Sequence, residues 1–429
     1  LSKPDRIKAP RGTFDVLGEQ SAGRDALEDR ARAILGGAGY QRIETPAFEA
    51  TELFARGVGE STDIVSKEMY TFEDASGRSL TLRPEGTAPV CRAYIEHGMH
   101  KLRQPVRLWY LSSFFRYERA QAGRYRQFSQ LGAEALGSED PAVDAESICL
   151  LAALLDEMNV ASLRLRLSSL GSLAARQEYR ERLQAHLRAH AERLSEDVRA
   201  RIELNPLRAF DSDHPGTGAV MESAPRLLDF LSAEDAEHFA EVRARLDGAG
   251  VAYEIDPTLV RGLDYYTRTV FEFTSDRLGA QSGVGGGGRY DGLVEQLGGP
   301  ATPGIGWAAG IERILLAGAP PRAAPAIVDL FVAYEPAREG DARAQPHAPA
   351  GAFALLSEAR AAGLRAQMEL AGRSLKGQLG YAGALEARYV AILGAQGEAI
   401  LKDMLGGGSQ QTLAADMVVH AVLRGLHSL

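Results

Sequence analysis

The chain has 429 residues, 45% hydrophobic and 24% charged, with a formal net charge of −9 at neutral pH. That length exceeds one hydrophobic core and predicts two or three globular domains. The acidic balance argues against a general nucleic-acid binder, though not against a local basic surface, and no apolar run approaches the ~20 residues that span a bilayer, so no membrane association is expected.

From residue 11 to about 168, helix and strand patterns alternate. Apolar periodicity predicts helices over about 25–38, 87–97 and 144–158, and period-two alternation predicts strands over 106–115 and 127–135. From about 173 to 246 the texture becomes rich in Arg, Glu, Ala and Leu, with helices over 178–194 and 234–246 separated by the turn cluster Asp211-Ser212-Asp213-His214-Pro215-Gly216. A helical patch between two strand-bearing regions reads as an inserted subdomain. Strand texture resumes at Leu259 and runs through a glycine-rich loop to a helix over 306–317. The segment Gly318-Ala319-Pro320-Pro321-Arg322-Ala323-Ala324-Pro325 is a linker by composition. Beyond it, strands over 328–333 and 389–393 alternate with helices over 349–362 and 375–385, an α/β domain with parallel-sheet character. The expected boundaries are therefore 1–170 and 251–318 for the two parts of the first domain, 171–250 for the insertion, 319–326 for the linker and 327–429 for the last domain. The opening Leu1-Ser2-Lys3-Pro4-Asp5 has no apolar core of a secretory leader. Cys91 and Cys149 sit in apolar, helix-like surroundings without a disulfide framework or metal-ligand spacing, which points to a reducing compartment, the cytosol.

Four segments could carry chemistry. In the hairpin around Arg116, alternation puts Tyr110, Ser112, Phe114, Arg116 and Glu118 on one face of the first strand, and Arg126, Phe128, Gln130, Gly132 and Glu134 on one face of the second. A polar row in mid-sheet needs partners. One reading is a salt-bridged, solvated face of little energetic weight. The other is a floor for a small zwitterionic ligand with a phosphate, with Arg116 clamping the phosphate and Glu134 accepting from an imidazole or ammonium. In Arg83-Pro84-Glu85-Gly86-Thr87, Pro84 keeps a helix from starting earlier and Thr87 is placed to cap it. Glu85 and Thr87 either only cap that helix or set a carboxylate and a hydroxyl beside a ligand ammonium. Arg261 precedes Gly262, as a loop cation approaching a ligand would, and Tyr265 and Tyr266 offer aromatic walls with polar tips; an exposed arginine in a turn is the alternative. The run from Gly283 to Gly288 lacks the Lys-Ser/Thr ending of a P-loop. In the helix expected after it, Gly306, Gly310 and Arg313 share one face, flat enough for a stacked adenine under a guanidinium. Close helix–sheet packing with a solvated arginine would give the same pattern.

Taken together and in this order, these segments resemble the class II aminoacyl-tRNA synthetases. The hairpin resembles that class's second motif, the Gly…Gly…Arg segment its third, and Ile43-Glu44-Thr45-Pro46-Ala47-Phe48-Glu49 its first, a dimer element. The stretches Arg83 to Thr87 and Leu259 to Tyr266 are narrower and resemble the histidyl-tRNA synthetases, as does Ala371-Gly372-Arg373-Ser374-Leu375-Lys376-Gly377-Gln378-Leu379, which is similar to that family's anticodon-binding domain. The resemblance implies an α+β fold: a class II catalytic domain on an antiparallel sheet, a helical insertion and a C-terminal α/β anticodon-binding domain. It implies a cytoplasmic homodimer that activates histidine with ATP and Mg²⁺ and loads it onto the 3′ end of tRNA(His). Under it, Glu85 and Thr87 would hold the histidine ammonium, Glu134 and Tyr266 its imidazole, and Gln130 its carboxylate, with Tyr265 and Tyr290 lining the pocket. Arg116 and Arg261 would face each other across the ATP α-phosphate and, with Gln130, form the catalytic set. Glu118 and Gly306 would take the adenine end and Arg313 the γ-phosphate, while Arg119, Gln121 and Arg124 would face the tRNA acceptor end. No protein ligands to a resident metal are implied.

Ser129 stands where the family often has His, and alternation places it on the strand face opposite Gln130. The last domain carries about as many acids as bases, so stacking and hydrogen bonds to unpaired nucleotides would dominate tRNA binding there. The competing reading is a catalytically inactive, synthetase-like regulatory subunit of ATP phosphoribosyltransferase. Such a protein would lack the last domain and usually the catalytic arginines, whereas this chain keeps Arg116, Arg261 and Arg313.

Overall fold

The structure, a computed structural model, describes residues 6–59, 62–119, 121, 123–260, 263–319, 328–335, 350–394, 397–404 and 409–427. The chain divides into two compact units, Leu1–Arg322 and Ala323–Leu429. Of the expected linker 319–326, all but Ala319 lies outside the described residues.

The first unit opens with α1 (Glu19–Gly37), which buries Leu27, Ala31 and Leu35 along one stripe. Then come β1 (Gln41–Arg42), β2 (Phe48–Ala50), α2 (Thr51–Val58), β3 (Tyr70–Glu73), β4 (Ser79–Leu82) and α3 (Thr87–Glu96). The hairpin β5 (Val106–Phe115) and β6 (Gln127–Leu136) follows, then α4 (Pro141–Glu157), started by Pro141 and the Asp140 cap, and β7 (Leu163–Ser169). A helical stretch of α5 (Leu173–Ala189), α6 (Glu196–Arg201), α7 (Pro215–Met221) and α8 (Ala233–Gly248) precedes β8 (Glu254–Ile255), β9 (Thr267–Ser275), β10 (Gly283–Arg289), α9 (Leu293–Gln296), β11 (Gly304–Gly310) and α10 (Ile311–Ala317).

Eight strands form one sheet in the order β1-β5-β6-β11-β10-β9-β7-β8, parallel only where the two short edge strands pair. A separate three-stranded sheet runs β2-β4-β3. Strand alternation divides the large sheet's side chains between two cores. Trp109, Ala133 and Trp307 pack with α1, α4 and α10 on one face, while Tyr110, Phe114 and Tyr290 belong to the core on the other.

Two sequence expectations need correction here. The glycine run, expected as a loop, is strand β10, paired with β9 on one side and β11 on the other. A Cβ on Gly287 would overlap the Gly306 carbonyl oxygen, so these glycines serve close approach of neighbouring strands rather than a turn. Residues 306–310, expected as helix, belong to β11, and α10 begins only at Ile311. Gly306 and Arg313 therefore share no helix face. A short apolar run bounded by glycines fits helix or strand equally, and the pairing of β11 with both β6 and β10 decides it.

The second unit comprises β12 (Leu330–Tyr334), α11 (Ala350–Ala361), β13 (Ala366–Met368), α12 (Leu375–Ala384), β14 (Tyr389–Leu393), β15 (Glu398–Asp403), β16 (Gln410–Ala414) and α13 (Val418–His427). Its sheet runs β13-β12-β14-β15-β16. The first three strands are parallel and the last two add antiparallel, so the parallel character expected from the sequence covers only part of it. Buried Gln378 braces α12 against β12: its amide accepts from Tyr334 N and donates to Tyr334 O, each at 2.9 Å. Among the described residues, no helix is long and apolar enough to cross a membrane.

Gly287→Ala should lower stability by roughly 3 kcal/mol through overpacking between β10 and β11, read as a drop in the urea midpoint. Gly218→Ala, inside α7, whose added Cβ meets nothing within 4 Å, is the control and should keep or slightly raise the midpoint. Equal midpoints for the two variants would rule out close approach as the reason for the glycine run.

Candidate active site

The face of the large sheet that carries Tyr110 and Gln130 opens onto a cavity of about 730 Å³. The hairpin register brings Leu108 opposite Glu134, Tyr110 opposite Gly132 and Ser112 opposite Gln130, so these residues share the cavity face. Tyr110 lies flat in this wall because Gly86 and Gly132, on either side, carry no Cβ to collide with its ring. Arg126 departs from the expected row. Its guanidinium stacks 4.1 Å from the Tyr117 ring and its Nε donates to the Glu118 carbonyl, outside the cavity lining.

One end of the cavity is built from hydroxyls and buried carboxyls. Thr87, expected as a helix cap, is instead the first residue of α3, and capping passes to Glu85. The Glu85 carboxylate accepts from Thr87 N at 2.8 Å and Ala88 N at 3.0 Å. The longer glutamate side chain reaches back over the first turn, which frees the Thr87 hydroxyl to point across to β6. There it donates to Glu134 Oε1 at 2.8 Å, Tyr110 donates to the same oxygen at 3.4 Å, and Tyr290 donates to Oε2 at 2.7 Å. Glu134 has no exposed surface and is absent from the cavity lining, one layer behind Thr87, Tyr110 and Tyr290. A Cβ on Gly306 would overlap Glu134 Oε2, so the glycine makes room for the carboxyl. Burial pushes Glu134 up to about 8 despite its hydroxyl donors, and nearby Glu85 adds to the rise. Burial likewise raises Glu85. Tyr265 and Tyr266 complete this wall with ring centroids 4.8 Å apart, and Tyr265 meets Tyr290 edge-on at 5.9 Å.

The other end is cationic. Arg116 lines the cavity with its Nε donating to Pro84 O at 2.9 Å and its guanidinium 5.3 Å from the Phe128 ring. Arg313 enters from α10, donating to Gly123 O at 3.1 Å and to Gly283 O at 2.7 Å. Burial first, and then neighbouring Arg124, lower its pKa, as expected where cations crowd with little water. Arg124 pairs with Glu118, and both line the cavity along with Gln130, Gly306 and Glu272. Arg119 and Gln121 are exposed and stand outside it. Arg261 lies outside the described residues.

Ser129 points away from the cavity, as alternation predicts. Its Oγ accepts from Arg24 at 2.9 Å, and its N–H donates to Glu312, which also pairs with Arg24. Two lining residues carry little sequence signal. Tyr110 reads as one more aromatic on an apolar strand. Glu272, held by Arg166 at 3.2 Å, is marked only by being a lone carboxylate between phenylalanines. Among the described residues no group of three or more His, Cys, Asp or Glu is placed to hold a metal ion.

Comparison with known proteins agrees with this geometry. The family model for histidyl-tRNA synthetase matches residues 12–314. The histidine–tRNA ligase of Desulforamulus reducens is 46% identical over 96% of this chain and 97% of its own length. That of Halorhodospira halophila is 48% identical over 98% of both chains. The crystal structure of the apo histidyl-tRNA synthetase of S. aureus superposes with a TM-score of 0.79 at 36% identity, covering 97% of this chain and all of that one.

The Glu134 environment predicts a pH signature. The folded protein keeps a proton on this carboxyl up to about pH 8, whereas the unfolded chain releases it near 4.5. Between those values the folded state holds more protons, so stability falls as pH rises. Unfolding free energy measured in urea for wild type minus Glu134→Gln should be level below about pH 4.5, decline across the window and level off above about pH 8. A difference that stays constant from acid to alkaline pH would contradict the assigned burial.

Proposed function

The chain belongs to the histidyl-tRNA synthetase family, and from that premise we infer that it is a histidine–tRNA ligase. It activates histidine with ATP and transfers the histidyl group to tRNA. The regulatory-subunit reading is disfavoured: relatives matched over nearly their whole length are ligases, and the chain has its second unit.

We propose that histidine binds at the hydroxyl end of the cavity and ATP at the cationic end. One observation supports this division most: a wall of Glu85, Thr87 and Tyr290 before the buried Glu134 shares a cavity with Arg116 and Arg313. The Thr87 hydroxyl donates to Glu134, leaving its oxygen to accept from a ligand ammonium, with Glu85 supplying opposite charge behind it. The imidazole would meet Tyr266 and the hydroxyls that Glu134 orients, with Tyr265 packing beside them. Such a site rejects side chains that cannot pair with it. Gln130 would orient the histidine carboxylate toward Arg116. That carboxylate attacks the α-phosphorus in line, forming the acyl–phosphate bond of histidyl-adenylate as the bond to pyrophosphate breaks. No protein nucleophile is required, because positioning and neutralisation of charge at phosphorus carry the step. Arg116 supplies that charge, Arg313 the charge at the departing phosphates, and Glu118 and Gly306 border the adenine. Arg261 is assigned to the α-phosphate opposite Arg116 on its sequence context alone. In the second step the terminal ribose hydroxyl of the tRNA attacks the histidyl carbonyl and AMP leaves.

Mg²⁺ entering with ATP would be held mainly by phosphate oxygens, with Glu118 and Glu272 among the lining carboxylates, and would neutralise phosphate charge. The exposed Arg119, Gln121 and Arg124 suit the acceptor end of tRNA(His), and the second unit the anticodon. A homodimer is supported by the three-stranded sheet, where Phe48 and Phe72 stay 49% and 43% exposed with rings 6.1 Å apart, beside the first-motif segment. A cytoplasmic setting is supported by the free thiols of Cys91 and Cys149.

Histidine-dependent ATP–pyrophosphate exchange tests the reading. Wild type should exchange label with histidine alone among the amino acids. Arg116→Ala and Arg261→Ala should each lose roughly 100-fold or more in rate with unchanged circular dichroism. Exchange driven by another amino acid, or full activity in both variants, would reject it.

A further inference from the structure

The segment that presents Tyr265 and Tyr266 to the cavity is buried in one apolar cluster with Leu170 and Tyr179. On its far side lies a second cavity of about 170 Å³, lined by Arg176, Tyr179 and Asn205 as well as by Leu263, Asp264 and Tyr266. Leu263 and Tyr266 border both cavities, so this segment is a partition with a void on either side. Where that void lies, close packing does not fix the depth of the segment.

Polar ties from the helical stretch reach across instead. From α5, the Arg176 guanidinium donates to the main-chain carbonyl of Tyr266. From the turn after α6, Asn205 Nδ2 donates to Asp264 Oδ1 at 2.8 Å. From α8, buried Asp235 accepts from Arg268 Nε at 3.0 Å, while its other oxygen takes Ser172 N at 3.0 Å and the Ser232 hydroxyl at 2.8 Å. Arg268 has a positive φ of 42°, a conformation disfavoured for an L-residue that persists only when neighbours hold it. The strand register shifts at the same place, between Gly288 and Arg289. Burial lowers Arg176 to about 10, with Asp264 opposing the drop, so its guanidinium remains charged at neutral pH.

We propose that Arg176 is a positioning residue for histidine recognition: through the Tyr266 carbonyl, with Asn205 on Asp264 as a second tie, the helical stretch sets how far the two tyrosines project into the cavity. The proposal rests on the assignment of Tyr266 to the histidine site. Arg176 touches no substrate in this account and acts only through the segment it holds. Movement of the helical stretch then changes affinity for the amino acid, while the ATP end, built on β6, β10 and α10, keeps its geometry.

The test is pyrophosphate exchange with histidine and ATP varied separately. Arg176→Ala should raise KM for histidine roughly 10-fold, with KM for ATP and kcat within about twofold of wild type. Arg176→Lys, which keeps a cationic donor, should recover most of that loss. Asn205→Ala should raise KM for histidine in the same sense by roughly threefold, and carries the test if Arg176→Ala fails to fold. Tyr266→Ala separates the two ideas. If it leaves KM for histidine unchanged, the site assignment fails and the positioning role falls with it. If Tyr266→Ala raises KM for histidine but Arg176→Ala and Asn205→Ala do not, the site stands and the positioning role is overturned. A parallel loss in both KM values and kcat, without rescue by lysine, would also overturn it in favour of general destabilisation.

Discussion

A carboxyl group shut off from water dictates how the hydroxyl end of the cavity is assembled. An unpaired buried carboxyl costs several kcal/mol, so Glu134 needs donors within the fold. They come from separate elements: Thr87 at the start of α3, Tyr110 on β5 and Tyr290 just beyond β10. The same requirement explains the glycines around it. Gly306 leaves space for the carboxyl, while Gly86 and Gly132 leave space for the tyrosine ring that helps to satisfy it. Because every donor is fixed by its bond to Glu134, the hydroxyls reach the cavity already oriented, which lowers the cost of binding a ligand that matches them.

A buried ion pair anchors this arrangement from beside the wall. Arg289, the last residue of β10 and neighbour of Tyr290, has no exposed surface and pairs with equally buried Asp144 on α4 at 2.7 Å. It also reaches Asp291 at 3.1 Å and the Ser138 carbonyl at 3.0 Å. Removing one partner of such a pair strands the other charge in the interior, so the strand end bearing Tyr290 has little freedom to drift. The cationic end is held differently. Arg116 and Arg313 spend part of their donor capacity on main-chain carbonyls, which fixes their direction without neutralising their charge. The two ends thus combine rigid geometry with opposite chemistry, which is what the proposed alignment of a carboxylate and a phosphate needs.

Much of this was legible in the sequence where a single periodicity governed. The hairpin strands 106–115 and 127–135 match β5 and β6 almost residue for residue, and alternation alone put Gln130 and Glu134 on one face and Ser129 on the other. Legibility failed where pairing partners decided. Residues 306–310 carry a pattern that suits a helix, and only flanking by β6 and β10 makes them strand. The glycines of β10 look like a loop until the neighbouring carbonyls that would meet a Cβ are in place. That Thr87 leaves the capping to Glu85 was hidden for a related reason, since the pull of Glu134 on the Thr87 hydroxyl comes from 47 positions along the chain. Short motifs therefore marked which residues gather, and tertiary contacts settled which one does what.

The most direct measurement is a crystal structure of the protein with histidine and a non-hydrolysable ATP analogue. The imidazole should lie against Tyr266 and the Thr87 and Tyr290 hydroxyls with Glu134 behind them, and the α-phosphate should lie within hydrogen-bond reach of Arg116. An amino acid seated elsewhere, or a triphosphate lying away from both Arg116 and Arg313, would contradict the account at its centre.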